Sequence, residues 1–502
     1  MNKKNELIKI ILFSFLYVFG ILLLTGTLTS GYHLADDHEI ILMNKRFEDG
    51  IYTLDSFFHT GIFAYFRGGI RFRPLYNTMR FVKTFLFGSN FIIWSMATGS
   101  VIATCMVTAY YVARKLEISS TYSYLIAILV ITGEQAEIWW RLGPQEPAGL
   151  LFMLLSFLCV QKYTDTKKIR WIIMTILSAF LMSAAKESFT ICLPAVGIFA
   201  IAYNCWKNED QNWRHGICRA IRENILILGI LFINFCINMY IIIFKVGLLS
   251  IEYAGIEVSR GIKGYISMIW ELITNSSFQN YLFFQIAVII LFIVQKLHRK
   301  RDRENIVWKK CLLMLPFLFI IAAEIFLYAK SGMRGRYFIP FTVGFFFLNM
   351  IVGGWAFKEK WIKWGFEICA AGMLCMVISI TIKGANIFTE QGRVLNAGLM
   401  LMEDEMEKDD KVLTNLDGGG EWDFSISHYG KIEMGAENIY CIDQEGKFSS
   451  LYLENNESLE CVEEAEWIIL SNQKTLENIG TSEDDYSYFT SIYYGDIWKR
   501  KK

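Results

Sequence analysis

The chain has 502 residues, 54% of them hydrophobic and 15% aromatic, with 20% charged residues, 6 prolines and a mean hydropathy of +0.34. Lys plus Arg (49) equals Asp plus Glu (49). These figures exclude a disordered, collagen-like or disulfide-dense secreted chain.

The zero net charge conceals an asymmetry. Residues 1–384 carry 39 basic and 24 acidic side chains, whereas 385–502 carry 10 and 25. A basic, apolar portion is followed by an acidic tail, and no basic patch of the nucleic-acid-binding kind stands out.

The first apolar run, 7–28, follows Lys3 and Lys4. It is too long for a signal-peptide core and is read as a retained anchor. Further apolar runs occupy 91–113, 122–132, 147–160, 171–184, 188–206, 225–244, 278–294, 311–329, 337–357 and 364–382. A full crossing needs roughly 20 apolar residues, so an all-α polytopic membrane protein of about eleven transmembrane helices is expected. The runs 122–132 and 147–160 are short, and the polar stretch 133–146 joins them, which predicts polar helix ends facing a watery cavity.

Connections rich in Lys and Arg lie at 114–115, 162–170, 207–222, 296–310 and 358–363, and such short loops stay cytoplasmic. Alternation then puts the N-terminus inside, the 29–90 loop outside and the tail after 384 outside, in a cell (plasma) membrane. The division predicted is a transmembrane domain over 1–384 and an acidic extracytoplasmic domain over 385–502. In that tail, β-like runs at 412–415, 439–442 and 467–470 and a Tyr/Phe-rich segment at 486–498 predict a small α/β domain. Nine of the eleven cysteines lie in or beside apolar runs as fillers, while Cys441 and Cys461 share the outer domain and are candidates for a disulfide.

On this topology Asp36, Asp37, His38, Glu39, Arg71, Arg73, Glu134, Glu137, Arg141, Glu146, Lys186, Glu187, Arg334 and Arg336 all fall on the outer side. Lys186 and Glu187, set between two apolar runs with almost no loop, are expected to face a cavity or a partner. Asp36 and Asp37 are suited to general-base work or to a divalent cation. Guanidinium and ammonium groups bind phosphate, and a base beside such a clamp suggests group transfer from a phosphorylated lipid.

These residues fall into ordered motifs that resemble the GT-C membrane glycosyltransferases, especially the protein O-mannosyltransferase branch with its tetratricopeptide-bearing relatives. Asp36, Asp37, Ile41 and Asn44 match a first-loop "DD…I..N" pattern, and Arg73-Pro74-Leu75 with Arg71 before it looks like "YRPL". Glu137, Arg141 and Glu146 resemble the "TE…R.E" segment, Lys186-Glu187 the "KE" motif, and Arg336-Tyr337 with Pro340 the late "RY..P" motif. The "HP" usual before the third motif is Gly133-Glu134 here, and tetratricopeptide repeats are absent.

The resemblance implies a polyprenyl-phosphate sugar donor, an acceptor hydroxyl on a glycan, lipid or protein at the outer face, and inverting displacement. Carried over by position, Asp36 or Asp37 is the base, with the other orienting it or holding a metal. Glu137 supports the acceptor side, and Arg73, Arg141, Lys186 and Arg336 neutralise the leaving phosphate. Glu146, Glu187 and Tyr337 support them. A divalent metal is compatible with the resemblance but not obligatory, and His38 is a ligand candidate. A transporter or flippase of lipid-linked saccharides is the alternative; it predicts polar groups near the bilayer midplane in repeated halves, whereas the charges here gather on one face.

Overall fold

The computed structural model describes residues 3–53, 56, 71–208, 212–247, 261–298, 307–329, 332–443, 446–450, 459 and 461–501. Parts of the 29–90 loop and of the 296–310 connection fall outside them.

The helices run in chain order as α1 (Lys3–Thr25), α2 (Asp37–Glu48), α3 (Pro74–Phe87), α4 (Phe91–Lys115), α5 (Ser120–Leu129), α6 (Glu146–Thr166), α7 (Ile169–Ser183), α8 (Glu187–Ile191), α9 (Leu193–Lys207) and α10 (Trp213–Glu223). There follow α11 (Ile225–Tyr240), α12 (Gly261–Thr274), α13 (Ser276–His298), α14 (Val307–Tyr328), α15 (Phe341–Trp355) and the 46-residue α16 (Lys360–Glu405). The tail adds β1 (Lys411–Asn415), α17 (Glu421–Ile432), β2 (Asn438–Ile442), β3 (Phe448–Ser450), β4 (Trp467–Ser471), β5 (Tyr486–Ile492) and β6 (Gly495–Arg500).

Each of the eleven apolar runs becomes helical. Among the described residues, eight helices are long and apolar enough to cross a membrane, and α5, α7 and α15 are shorter. Large apolar side chains stand exposed along α1, α11 and α13, such as Leu16, Leu24, Phe232 and Phe283. Surfaces of that kind call for lipid rather than water.

Two details depart from the predicted runs. The run at 147–160 is the middle of a 21-residue helix, because Pro147 in the first turn of α6 starts it cleanly and the polar Glu146 and Gln161 at its ends find buried partners. The run at 188–206 breaks at Cys192 into α8 and α9, where Pro194 opens the second helix.

The chain forms two compact units. The first comprises Met1–Ile21, His59–Thr78 and Ala97–Gly384. In it α6 packs on α7 and α9, and α14 packs on α9 and α15. Gly344 of α15 permits that last approach, since an added Cβ would stand 2.7 Å from the Phe317 carbonyl oxygen of α14. Phe157, Phe199, Phe317 and Phe347 pack through the interior, Phe199 edge-on to Phe317 and Phe317 parallel to Phe347 at 5.0 Å.

The second unit comprises Leu22–Phe58, Met79–Met96 and Ala385–Lys502. Its six-stranded sheet has the order β3-β2-β1-β4-β6-β5. β1 runs parallel to β2 and β4, with Val412 opposite both Ile439 and Trp467, while β3, β5 and β6 pair antiparallel. Strands β1, β2 and β4 are almost continuously buried, which suits the apolar runs of β2 and β4, while in β1 the buried Thr414 donates to Asp423 and Asn415 accepts Lys474 Nζ at 2.5 Å. Cys441 is buried and Cys461 exposed, and both are free thiols. The candidate disulfide between them is therefore not formed: Cys441 Sγ lies 3.7 Å from Ser449 Oγ on β3 instead.

Candidate functional site

The first unit assembles eight of the ten predicted site residues. Lys186 ends the turn after α7, and its Nζ reaches Glu146 Oε1 at the start of α6, 2.5 Å away. Both are buried, with side-chain exposures of 4% and 0%. Neighbouring Glu187 turns elsewhere, accepting Arg73 Nε and Nη2, each 3.0 Å from Oε2. The adjacent charges thus form two crossed pairs rather than one. Burial works against the Arg73 charge, but the Glu187 carboxylate outweighs it and holds the guanidinium more firmly protonated than usual.

Aromatic faces complete the cluster. Lys186 Nζ lies 4.5 Å from the centre of the Tyr337 ring and 5.9 Å from that of Tyr328, and the Arg336 guanidinium is 5.5 Å from the Tyr337 centre. Glu137, in the 3-10 turn Glu134–Trp139, accepts the Arg336 backbone N–H at 2.6 Å and pairs with Arg141 Nε at 3.2 Å. Gly335 (φ +51) makes this contact possible, because an added Cβ would lie 2.4 Å from Glu137 Oε1. Arg71 lies in the field of Arg73, Glu187, Tyr337 and Arg336, and burial followed by the like charge of Arg73 lowers its pKa. Motifs far apart in sequence therefore converge on one group of cations, carboxylates and phenols.

Asp36 and Asp37 belong to the second unit. The turn that carries them is strained, since Ala35 (φ 67) and Asp36 (φ 58) are both non-glycine residues in the left-handed region, at a cost of about 1–3 kcal/mol each. Neighbours hold it in place. Arg80 Nη2 donates to the Asp36 carbonyl at 3.2 Å and its guanidinium pairs with Glu39. Asn396 of α16 clasps Tyr32 through both its backbone N–H and its carbonyl, and Tyr32 Oη donates to the Ser425 carbonyl of α17 at 2.9 Å.

Asp37 opens α2 and is buried. Its Oδ2 accepts the His33 backbone N–H at 3.1 Å and lies 3.7 Å from His33 Nδ1. The far nitrogen of that ring, Nε2, is 3.0 Å from the Phe388 carbonyl, and the ring stacks on Phe388 with centroids 3.6 Å apart. Burial raises the Asp37 pKa, with His33 pulling the other way. A carboxylate so placed is a stronger base than one in water. His38 is buried 5.5 Å from the His428 ring, and burial, then His428 and Arg80, bring its pKa down to about 4.

Among the described residues no three His, Cys, Asp or Glu side chains gather as a metal-holding set. With Asp37 Oδ2 engaged by His33, Asp36, Asp37 and His38 do not form such a set.

Four further residues bear on these clusters. His33, Arg80 and Tyr328 carried no signal in the sequence, because each is defined by a partner distant along the chain. Glu324 did carry one: it is a lone carboxyl in the apolar run 311–329, fully buried in α14, where Cys192 Sγ donates to it at 3.7 Å. An ionisable group at such a position normally serves function.

No family model matches the chain, and no curated protein sequence matches it. Among solved structures, it is similar to the archaeal oligosaccharyltransferase AglB from Archaeoglobus fulgidus in complex with an inhibitory peptide and a dolichol-phosphate, at 8% identity and a TM-score of 0.42 over 93% of this chain and 70% of that one. It is also similar to the Archaeoglobus fulgidus oligosaccharyltransferase with Zn and sulfate, at 9% identity and a TM-score of 0.43 over 98% and 73%. A third structure is that enzyme tethered to an acceptor peptide containing the NVT sequon, at 8% identity and a TM-score of 0.40 over 86% and 64%. At such identities and scores the likeness does not assign this chain to that family.

Proposed function

We propose that the chain is an inverting membrane glycosyltransferase of the GT-C type, moving a sugar from a polyprenyl-phosphate donor to an acceptor hydroxyl on a cell-envelope polymer, lipid or protein. The observation that carries this reading is the pair of cations Lys186 and Arg336 over Tyr337, with Arg71 in the field of Tyr337, Arg336 and the Glu187-paired Arg73, at the ends of apolar helices. A lipid phosphate is a good leaving group when fixed cations meet its charge.

Asp37 takes the proton of the acceptor hydroxyl. The acceptor oxygen then bonds to the anomeric carbon as the bond from that carbon to the phosphate oxygen breaks, and the polyprenyl phosphate departs with the electron pair. Configuration at the sugar carbon inverts. Arg73, Arg141, Lys186 and Arg336 meet the leaving charge, Glu137 supports the acceptor side, and Glu146 and Glu187 hold Lys186 and Arg73 in place. Lys- and Arg-rich connections support an extracytoplasmic catalytic face and an extracytoplasmic 385–502 domain in the plasma membrane.

Linkage analysis of envelope polymers, lipids and glycoproteins from cells with the gene intact, deleted or carrying Asp37→Asn tests the reading. Loss of one glycan substituent in both altered strains is expected. An altered envelope on deletion with a normal one in Asp37→Asn cells would instead favour transport of a lipid-linked saccharide.

A further inference from the structure

Between α9 and the apolar α11 lies α10, the most strongly amphipathic of the described helices. Asn212 caps it, accepting the Arg214 backbone N–H at 3.0 Å. Its buried positions are the small residues Gly216 and Ala220, and it packs on α9. Its C-terminal end is pinned, because Glu223 pairs with Lys167 and accepts Asn204 Nδ2 at 3.0 Å, while Tyr163 Oη donates to the Glu223 carbonyl at 3.1 Å.

The remaining surface of α10 has two ridges. Trp213, Ile217 and Ile221 recur at i, i+4 and i+8, with Trp213 53% and Ile221 38% exposed. This apolar ridge continues into exposed Ile225 and Leu226 at the start of the apolar α11. Beside it stand exposed Arg214 and Arg222, with the Arg214 guanidinium 5.2 Å from the centre of the Trp213 indole. The α6–α7 turn, tied to α10 through Glu223, repeats the pattern: Arg170 lies 5.2 Å and Lys162 Nζ 6.0 Å from the centre of the Trp171 ring. An apolar ridge continuous with a lipid-facing helix, flanked by cations and indoles, matches the headgroup boundary of a bilayer.

We propose that α10 is an interfacial helix that binds anionic phospholipids, with Arg214 and Arg222 on the headgroups and Trp213, Ile217 and Ile221 among the acyl chains. A solvent-facing connector would not need Trp213 and Ile221 uncovered beside the lipid-facing end of α11. Charge decides the class of lipid: two exposed guanidinium groups attract an anionic headgroup and gain little from a zwitterionic one.

The test is thermal unfolding of the full-length chain in neutral detergent with added short-chain phosphatidylglycerol, phosphatidylcholine or inorganic phosphate. Phosphatidylglycerol is expected to stabilise the chain at roughly tenfold lower concentration than phosphatidylcholine, and inorganic phosphate to have no effect. The preference should disappear in the Arg214→Gln/Arg222→Gln double variant. In the wild type it should also collapse at about 0.5 M NaCl, which screens charges beyond a few ångströms and serves if the variant folds poorly. Equal response to both lipids, a preference retained in the variant or at high salt, or a shift reproduced by inorganic phosphate would each overturn the proposal.

Discussion

His33 holds Asp37 from two directions, its backbone N–H 3.1 Å and its ring Nδ1 3.7 Å from the same carboxylate oxygen, Oδ2. The ring is locked from behind by the Phe388 carbonyl and the Phe388 face. A base oriented in this way needs little reorganisation when it takes a proton.

Asp37→Asn should therefore lower the turnover of sugar transfer by about 10²–10⁴-fold while leaving expression and membrane insertion unchanged. Asparagine keeps an oxygen for the His33 N–H and loses only the basic site. Transfer measured with purified protein and a radiolabelled polyprenyl-phosphate sugar checks this; wild-type turnover in a well-folded variant would remove Asp37 from the mechanism.

Gly392 of α16 leaves the notch in which His33 sits. A Cβ there would come 2.4 Å from the Ser30 carbonyl oxygen and 2.5 Å from His33 Nε2. Gly392→Ala should cost about 1–3 kcal/mol of stability through overpacking and reduce turnover more than donor affinity. Thermal unfolding together with separate kcat and KM values would show both effects.

The pH dependence of the second unit has a definite sign. His38 has its pKa lowered from 6.5 to about 4, first by burial and then by His428 and Arg80. As pH falls below 6.5 the unfolded chain takes up a proton that folded His38 refuses, so stability declines until pH nears 4 and this contribution levels off. The full loss is roughly 3 kcal/mol. His38→Gln should flatten this part of the stability curve, as denaturation midpoints between these pH values would record.

Lys186 and Glu146 test what a buried pair contributes. Lys186→Met leaves the buried Glu146 carboxylate without its ion-pair partner, and a destabilisation of about 3–5 kcal/mol is expected. Adding Glu146→Leu should restore most of the melting temperature but not sugar transfer, because the Lys186 ammonium over Tyr337 is still missing. A double variant that regains transfer would show that Lys186 acts only in folding.

Much of the architecture was legible along the chain. The apolar runs became helices because burial or lipid must cover them wherever they lie, and the runs at 439–442 and 467–470 became core strands, flanking β1 at 411–415, because a strand covered on both faces suits a near-continuous apolar run. The site residues were readable as types, since charges beside apolar helices are costly unless they are used.

Their pairing was not readable. Lys186 and Glu187 look like partners in sequence, yet Lys186 binds Glu146, 40 residues away, and Glu187 binds Arg73, 114 residues away. Likewise His33 stacks on Phe388 across 355 residues. Composition and apolar patterning determined by themselves that this chain enters a membrane and ends in a small sheet domain, because hydrophobic burial depends on local runs. Which cation meets which carboxylate was decided only by tertiary packing, because an ion pair depends on distance in space, which the packing of helices and the turns between them sets.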